Sequence, residues 1–162
     1  MIKNIITIFI CLLAYSCNSA SDAPFTLNPN APAEIGIESM TKNANNKMII
    51  NVYMINHRPV SGIQFEITPN HFFKVDSVFG GRSQENDFAL YSNKKGRVLG
   101  FSMKGNHIPE STSSNKKKNI LFTAIATPLK ALDTLLTISP IVADSDAKKM
   151  NFVSIPFELI GK

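Results

Sequence analysis

Residues 60–68 read Val-Ser-Gly-Ile-Gln-Phe-Glu-Ile-Thr. Ile63, Phe65 and Ile67 alternate with Gln64, Glu66 and Thr68. This period of two sends one set of side chains to a core and the other to solvent. Pro69-Asn70 ends the run. His57-Arg58-Pro59 precedes it as a tight connection, because proline fixes φ and carries no N–H. The stretch predicts a half-buried strand.

The same period extends in both directions. Residues 35–40 make a first short strand, followed by turn chemistry in Asn43-Ala44-Asn45-Asn46. Residues 47–56 (KMIINVYMIN) place Met48, Ile50, Val52 and Met54 on one face. The other face carries Ile49, Asn51, Tyr53 and Ile55, as expected for a strand covered on both sides. Residues 72–80 follow, with Phe73, Val75 and Val78 inward and Gly80-Gly81 as a break. Residues 88–92 and 97–103 flank Asn93-Lys94-Lys95-Gly96, a hairpin turn in which Gly supplies φ > 0. A long polar loop spans 105–119 (GNHIPESTSSNKKKN). Residues 120–127 and 132–142 are strongly apolar strands, the second with an irregularity at Ser139-Pro140. A turn at 143–150 leads to 152–160, with Val153, Ile155, Phe157 and Leu159 inward. Nine strands result, and the pattern is that of an all-β sandwich. No segment has helical periodicity; 130–136 has room for one helical turn at most.

Composition agrees. The chain has 162 residues, 44% hydrophobic and 18% charged, which suits one domain and is too apolar for disorder. Two cysteines exclude a disulfide-stapled scaffold and a four-cysteine zinc site. The formal net charge of +5 is spread along the chain.

The first residues, MIKNIITIFICLLAYSCNSA, read as an export signal: Lys3 precedes an apolar run over 5–13 that is too short for a membrane span. Two cleavage readings stand. Residues 13–17 (Leu-Ala-Tyr-Ser-Cys) are similar to a bacterial lipobox, which makes 1–16 the signal and Cys17 the lipidated first residue. The alternative is ordinary cleavage near Ala20. Either way the protein is exported, lipid-anchored to a bacterial envelope or secreted. The domain keeps no pair of thiols, because Cys11 lies inside the signal. Residues 17–33 read as a flexible tether with Phe25 and Leu27 able to dock, and 34–162 as the folded domain.

Catalytic chemistry is not nominated. His57, His71 and His107 sit in or beside turns, without the spacing of a zinc protease. Asp144-x-Asp146 lacks the Gly and Glu of a calcium loop and reads as a hairpin turn. There is no Gly-x-Ser-x-Gly, and Glu66, Asp76, Glu85, Asp87 and Glu110 suggest no paired carboxylates. The expectation is a non-enzyme with no metal and no cofactor. Lys116-Lys117-Lys118, together with Lys94-Lys95-Gly96-Arg97, reads as solvated loops or as a basic patch meeting acidic polysaccharide or anionic headgroups. Without interleaved aromatics it predicts no nucleic-acid binding. Tyr53 and Tyr91 are candidates for stacking on sugar rings or for core and rim packing.

One stretch, NVYMINHRPVSGIQFEITPNHFFKVDSVFGG (51–81), resembles the start of a cohesin-type domain. In that family a hydrophobic strand leads through a short turn to a Gly-Φ-Gln/Glu-Φ-Asp/Glu-Φ strand (Φ apolar), here Gly62 to Ile67. A Pro-containing bend and a strand ending in Gly follow. Arg97-Val98-Leu99-Gly100-Phe101-Ser102 is similar to the family's Gly/Ala-Φ-Ser strand. Residues 141–146 resemble its final hairpin. The resemblance covers roughly 35–160.

It implies a nine-stranded jelly-roll-like β-sandwich that acts as a binding module. Cohesins hold a dockerin, a small calcium-loaded helical module, on one flat sheet face built from the third, fifth, sixth and eighth strands. Here the outward residues of those strands are expected to be Gln64, Glu66, Tyr91, Gly100, Ser102 and Thr137, with Gly100 and Ser102 keeping the face flat. A dockerin-like protein is thus the implied partner. Direct polysaccharide binding by the same fold and a ligand-free spacer in a cell-surface assembly are the alternatives. The membrane enters only through a lipid anchor.

Overall fold

The computed structural model describes residues 25–131 and 135–158. The signal at 1–16, the lipidation at Cys17, cleavage near Ala20, the start of the eighth strand at 132 and the inward Leu159 lie outside the described residues.

The 60–68 stretch forms strand β3 (Val60–Thr68), with Ile63, Phe65 and Ile67 buried and Gln64, Glu66 and Thr68 half-buried. Eight further strands are described: β1 (Ala33–Lys42), β2 (Met48–Ile55), β4 (Phe73–Phe79), β5 (Phe88–Ser92), β6 (Arg97–Ser102), β7 (Ile120–Pro128), β8 (Thr137–Asp144) and β9 (Phe152–Ile155). They make two sheets, ordered β4-β7-β2-β1-β9 and β5-β6-β3-β8. The all-β sandwich is therefore observed. Its four-stranded sheet contains the third, fifth, sixth and eighth strands, the grouping that the resemblance implied.

The core fills the space between the layers. Ile35, Ile50, Val52 and Met54 of one sheet meet Ile63, Phe65, Val98 and Val142 of the other, all at most 2% exposed. Phe65 and Phe122 pack with ring centroids 5.6 Å apart. Strand β2 is central and covered on both sides: Tyr53 on its outer face is fully buried. Val78 packs against the core although it lies three residues after Val75, because a bulge between Val75 and Ser77 resets the alternation.

Several expectations change. Residues 81–85 form a one-turn helix, α1 (Gly81–Glu85), where a plain break was expected. Gly80 and Gly81 both have positive φ, and a Cβ on Gly81 would stand 2.6 Å from the Ile120 carbonyl oxygen, so the chain passes there only as glycine. Pro140 sits in β8 opposite Phe65 with no register shift; β8 is an edge strand, and an edge tolerates a residue that cannot donate. Val153 is exposed, not inward. Strand β9 runs parallel to β1 at the sheet's edge, and it is Phe152 that packs on the core while Ser154 donates to the Ile138 carbonyl.

The polar 105–119 segment is tied down. Ile108 is fully buried and bridges Val60. The Arg82 guanidinium reaches from α1 into this segment and donates to the Met54 carbonyl (3.0 Å), Asn56 Oδ1 (2.9 Å), Ser111 Oγ (3.1 Å), Asn119 Oδ1 (3.2 Å) and the Pro109 carbonyl. Burial pulls its pKa below the usual arginine value, and Glu85 opposes that shift. A buried charge that makes no ion pair among the described residues is tolerated because its N–H groups find acceptors.

Candidate binding face

The two sheets have chemically different outer faces. On the five-stranded sheet the polar outward side chains satisfy one another, and exposed apolar side chains, Phe79 and Val153, lie on its edge strands. Asn51 donates to Ser39 Oγ (2.9 Å) and accepts from Thr123 (2.8 Å). Lys47 pairs with Asp76 at 2.8 Å, and Thr127 donates to the same carboxylate at 2.7 Å. The Lys47 and Thr127 bonds hold the Asp76 carboxyl below its ordinary range. Tyr53 lies across Gly36, donates to Glu34 at 2.6 Å and sits under the Lys116 ammonium, 5.0 Å from the ring centroid. Its hydroxyl pKa is raised by burial and by Glu34. Tyr53 is therefore closed to sugar rings.

The four-stranded sheet differs. Strand register aligns Tyr91, Leu99, Gln64 and Ile141 in one row across β5, β6, β3 and β8. With strands about 4.8 Å apart, the row runs about 14 Å. Tyr91 is 54% exposed, Leu99 43% and Ile141 51%. The neighbouring row is Ala89, Phe101, Gly62 and Ala143. Phe101 stacks on Tyr91 at 5.8 Å, and the small residues around it keep the surface low. On the other side Arg97 pairs with Glu66 at 3.3 Å, and the Thr68 and Thr137 hydroxyls share a hydrogen bond of 2.8 Å. The result is an apolar strip with a polar border, the form of surface that marks an interaction site.

Of the expected face residues, Gln64, Glu66, Tyr91 and Thr137 stand together on this surface. Gly100 and Ser102 do not. Gly100 is buried opposite Ile63, and a Cβ on it would come within 2.8 Å of Ile63 and Leu90. Ser102 pairs with the buried Phe88, on the interior side. The two sides of β6 are the reverse of those expected: Gly100 and Ser102 face inward, and Leu99 and Phe101 face out. A strand apolar on both faces leaves the choice to its neighbours, and a one-residue shift swaps the faces. Leu99 and Phe101 take the outer side for that reason, and Ile141 joins them because β8 runs through Pro140 without the irregularity expected there. The available signal was Gly100 itself, since a glycine inside a strand marks close approach of other atoms.

Lys116-Lys117-Lys118 and the 93–96 turn do not form one patch. The first lies at the start of β7 and the second at the start of β6, at opposite ends of the sandwich. Asp144-x-Asp146 is a turn, as expected. The Asp144 carboxylate accepts from the Lys148 and Asp146 backbone N–H groups and pairs with Arg58. These contacts, the Lys148 bond foremost, hold its pKa below the carboxylate norm against the opposing effect of burial. Phe25 stacks on His57 at 5.1 Å, while Leu27 is exposed. Among the described residues no cluster of His, Cys, Asp and Glu fits a metal ion, and no helix is long and apolar enough to cross a membrane.

No family model and no curated protein matches the chain. Solved structures do. The chain is similar to CaCohA2 of Clostridium acetobutylicum, both in its complex with CaDoc0917 (16% identity, TM-score 0.52, 76% of this chain and 96% of that one) and alone in solution (17%, 0.50, 77% and 88%). It is also similar to a non-cellulosomal cohesin from the hyperthermophilic archaeon Archaeoglobus fulgidus (14%, 0.52, 81% and 93%). The fold is that of a cohesin-type domain.

Proposed function

We propose that this chain is an exported, non-catalytic binding module that docks a dockerin-like protein on the outer face of its four-stranded sheet. The observation that carries this reading is the row Tyr91–Leu99–Gln64–Ile141, which leaves apolar side chains in water on a flat surface while the opposite sheet has satisfied its own polar groups. CaCohA2, whose fold is similar, was solved in complex with CaDoc0917, and this supports a protein as the occupant. A helix rises 5.4 Å per turn, close to the strand spacing, so successive turns can meet successive strands of the row. Reading residues 1–20 as an export signal supports a module outside the cytoplasm, lipid-anchored at Cys17 or, with cleavage near Ala20, secreted.

The test is affinity capture on immobilised wild-type domain, on Leu99→Arg/Ile141→Arg, and on Thr123→Arg, which alters the opposite face. A protein held by wild type and Thr123→Arg but released by the double variant supports the reading. Capture unaffected by the double variant refutes it.

A further inference from the structure

The sandwich carries exposed lysines at both of its ends. One end carries the 25–33 lead-in, α1, the 105–119 segment and the β8–β9 turn. There four cations meet carboxylates, Arg58 with Asp144, Lys104 with Asp87, Lys116 with Glu34 and Lys148 with Asp146, while Lys117 and Lys149 are exposed and make no ion pair among the described residues. The other end is made by the β1–β2 turn, the start of β4, the β5–β6 turn and the chain after β7. Here Lys47 and Lys74 share Asp76, and Arg97 leans on Glu66. Lys42, Lys94, Lys95 and Lys130 are exposed and make no ion pair among the described residues. Glu158 is the other described carboxylate at this end.

Three of these lysines converge on one corner. The β5–β6 turn packs over Phe73: a Cβ on Gly96 would lie 3.6 Å from its ring, and the Gly96 carbonyl accepts from Ile67 N–H at 3.2 Å. That fixes Lys94 and Lys95 beside β4. Leu129 and Lys130 donate their backbone N–H groups to the Phe72 carbonyl at 2.7 and 3.3 Å, which fixes Lys130 at the same place. Lys74 follows Phe73 in β4. Backbone packing thus brings the segments that carry Lys94, Lys95 and Lys130, one from each sheet, to Phe72–Phe73.

We infer that this corner binds an acidic polysaccharide. Unpaired lysines held close together repel one another, and a chain of regularly spaced carboxylate or sulfate groups relieves that repulsion while releasing its own counterions. Lysine offers a mobile point charge without the bidentate geometry that arginine gives a phosphate, and Arg97, the arginine nearby, is engaged by Glu66. Phe72 is partly buried and covered by His71, with ring centroids 4.2 Å apart, so it offers no free face to nucleic-acid bases. The site lies off the apolar row and is independent of the docking reading.

The test uses the purified domain on polygalacturonate and heparin columns at low salt, with single-stranded DNA as a third matrix. Lys94→Glu/Lys95→Glu is compared with Lys117→Glu/Lys149→Glu, which makes the same change of net charge at the opposite end. Circular dichroism checks the fold of both. The expected result is retention of wild type on both glycans, near-complete loss in the first variant, and little change in the second. The logarithmic dependence of affinity on salt should fall by about two units in the first variant. Equal loss in both variants, no retention of wild type at 50 mM salt, or tighter retention on DNA than on glycans overturns the proposal.

Discussion

Gly100 has ordinary extended backbone, so its requirement is space and not conformation. Atoms of Ile63 and Leu90 occupy the place of a Cβ. Gly100→Val should destabilise the domain by about 1–3 kcal/mol through overpacking, read as a lower urea midpoint. Gly62→Ala, on the face, is the control: its Cβ would meet only Ala143, at 4.0 Å, and should change stability little. Asp144 sets a pH dependence. Its folded pKa lies below the ordinary carboxylate value, so its contribution is complete above about pH 4 and is lost as pH falls through the folded pKa. Asp144→Asn should therefore be less stable than wild type at neutral pH, and the two urea midpoints should converge in acid.

At the scale of elements, the 105–119 segment shows how a polar sequence can be structural. Its composition reads as solvated loop, and nothing local announces that Arg82, in another element, supplies donors to it. Arg82→Met removes the donors and leaves buried acceptors without partners, a loss of about 3 kcal/mol. Amide exchange should then rise across 108–119 more than in the core of β3. Strand β6 makes the complementary point. Leu99, Phe101 and Met103 form the bulkier side, yet the pairing of Gly100 with Ile63 and of Val98 with Phe65 puts the smaller side in the core.

For the molecule as a whole, closure depends on the two ends of the chain. Strand β9 pairs in parallel with β1, Phe152 and Phe157 pack on the core, and Phe157 exchanges backbone hydrogen bonds with Leu136. Truncation after Asn151 would bare the edge of β1 and those apolar contacts. It should yield a chain that unfolds at markedly lower urea and self-associates, as read by sedimentation velocity. The face variant Leu99→Arg/Ile141→Arg changes exposed positions and should unfold within about 0.5 kcal/mol of wild type. That separates loss of docking from loss of fold.

The sequence by itself determined that the chain is a two-layer β-protein, where its strands run and which turns connect them. Side-chain alternation and Gly/Pro punctuation are local, and burial of one face enforces them. It also determined most of the face on β3, because residues 60–68 have one apolar and one polar side. Tertiary structure alone decided which side of β6 looks out, that β9 turns Val153 to solvent, that Arg82 anchors a distant loop, and that the two lysine-rich segments lie at opposite ends. Each of these depends on which atoms from remote parts of the chain occupy the neighbouring space, and no periodicity within a strand encodes that.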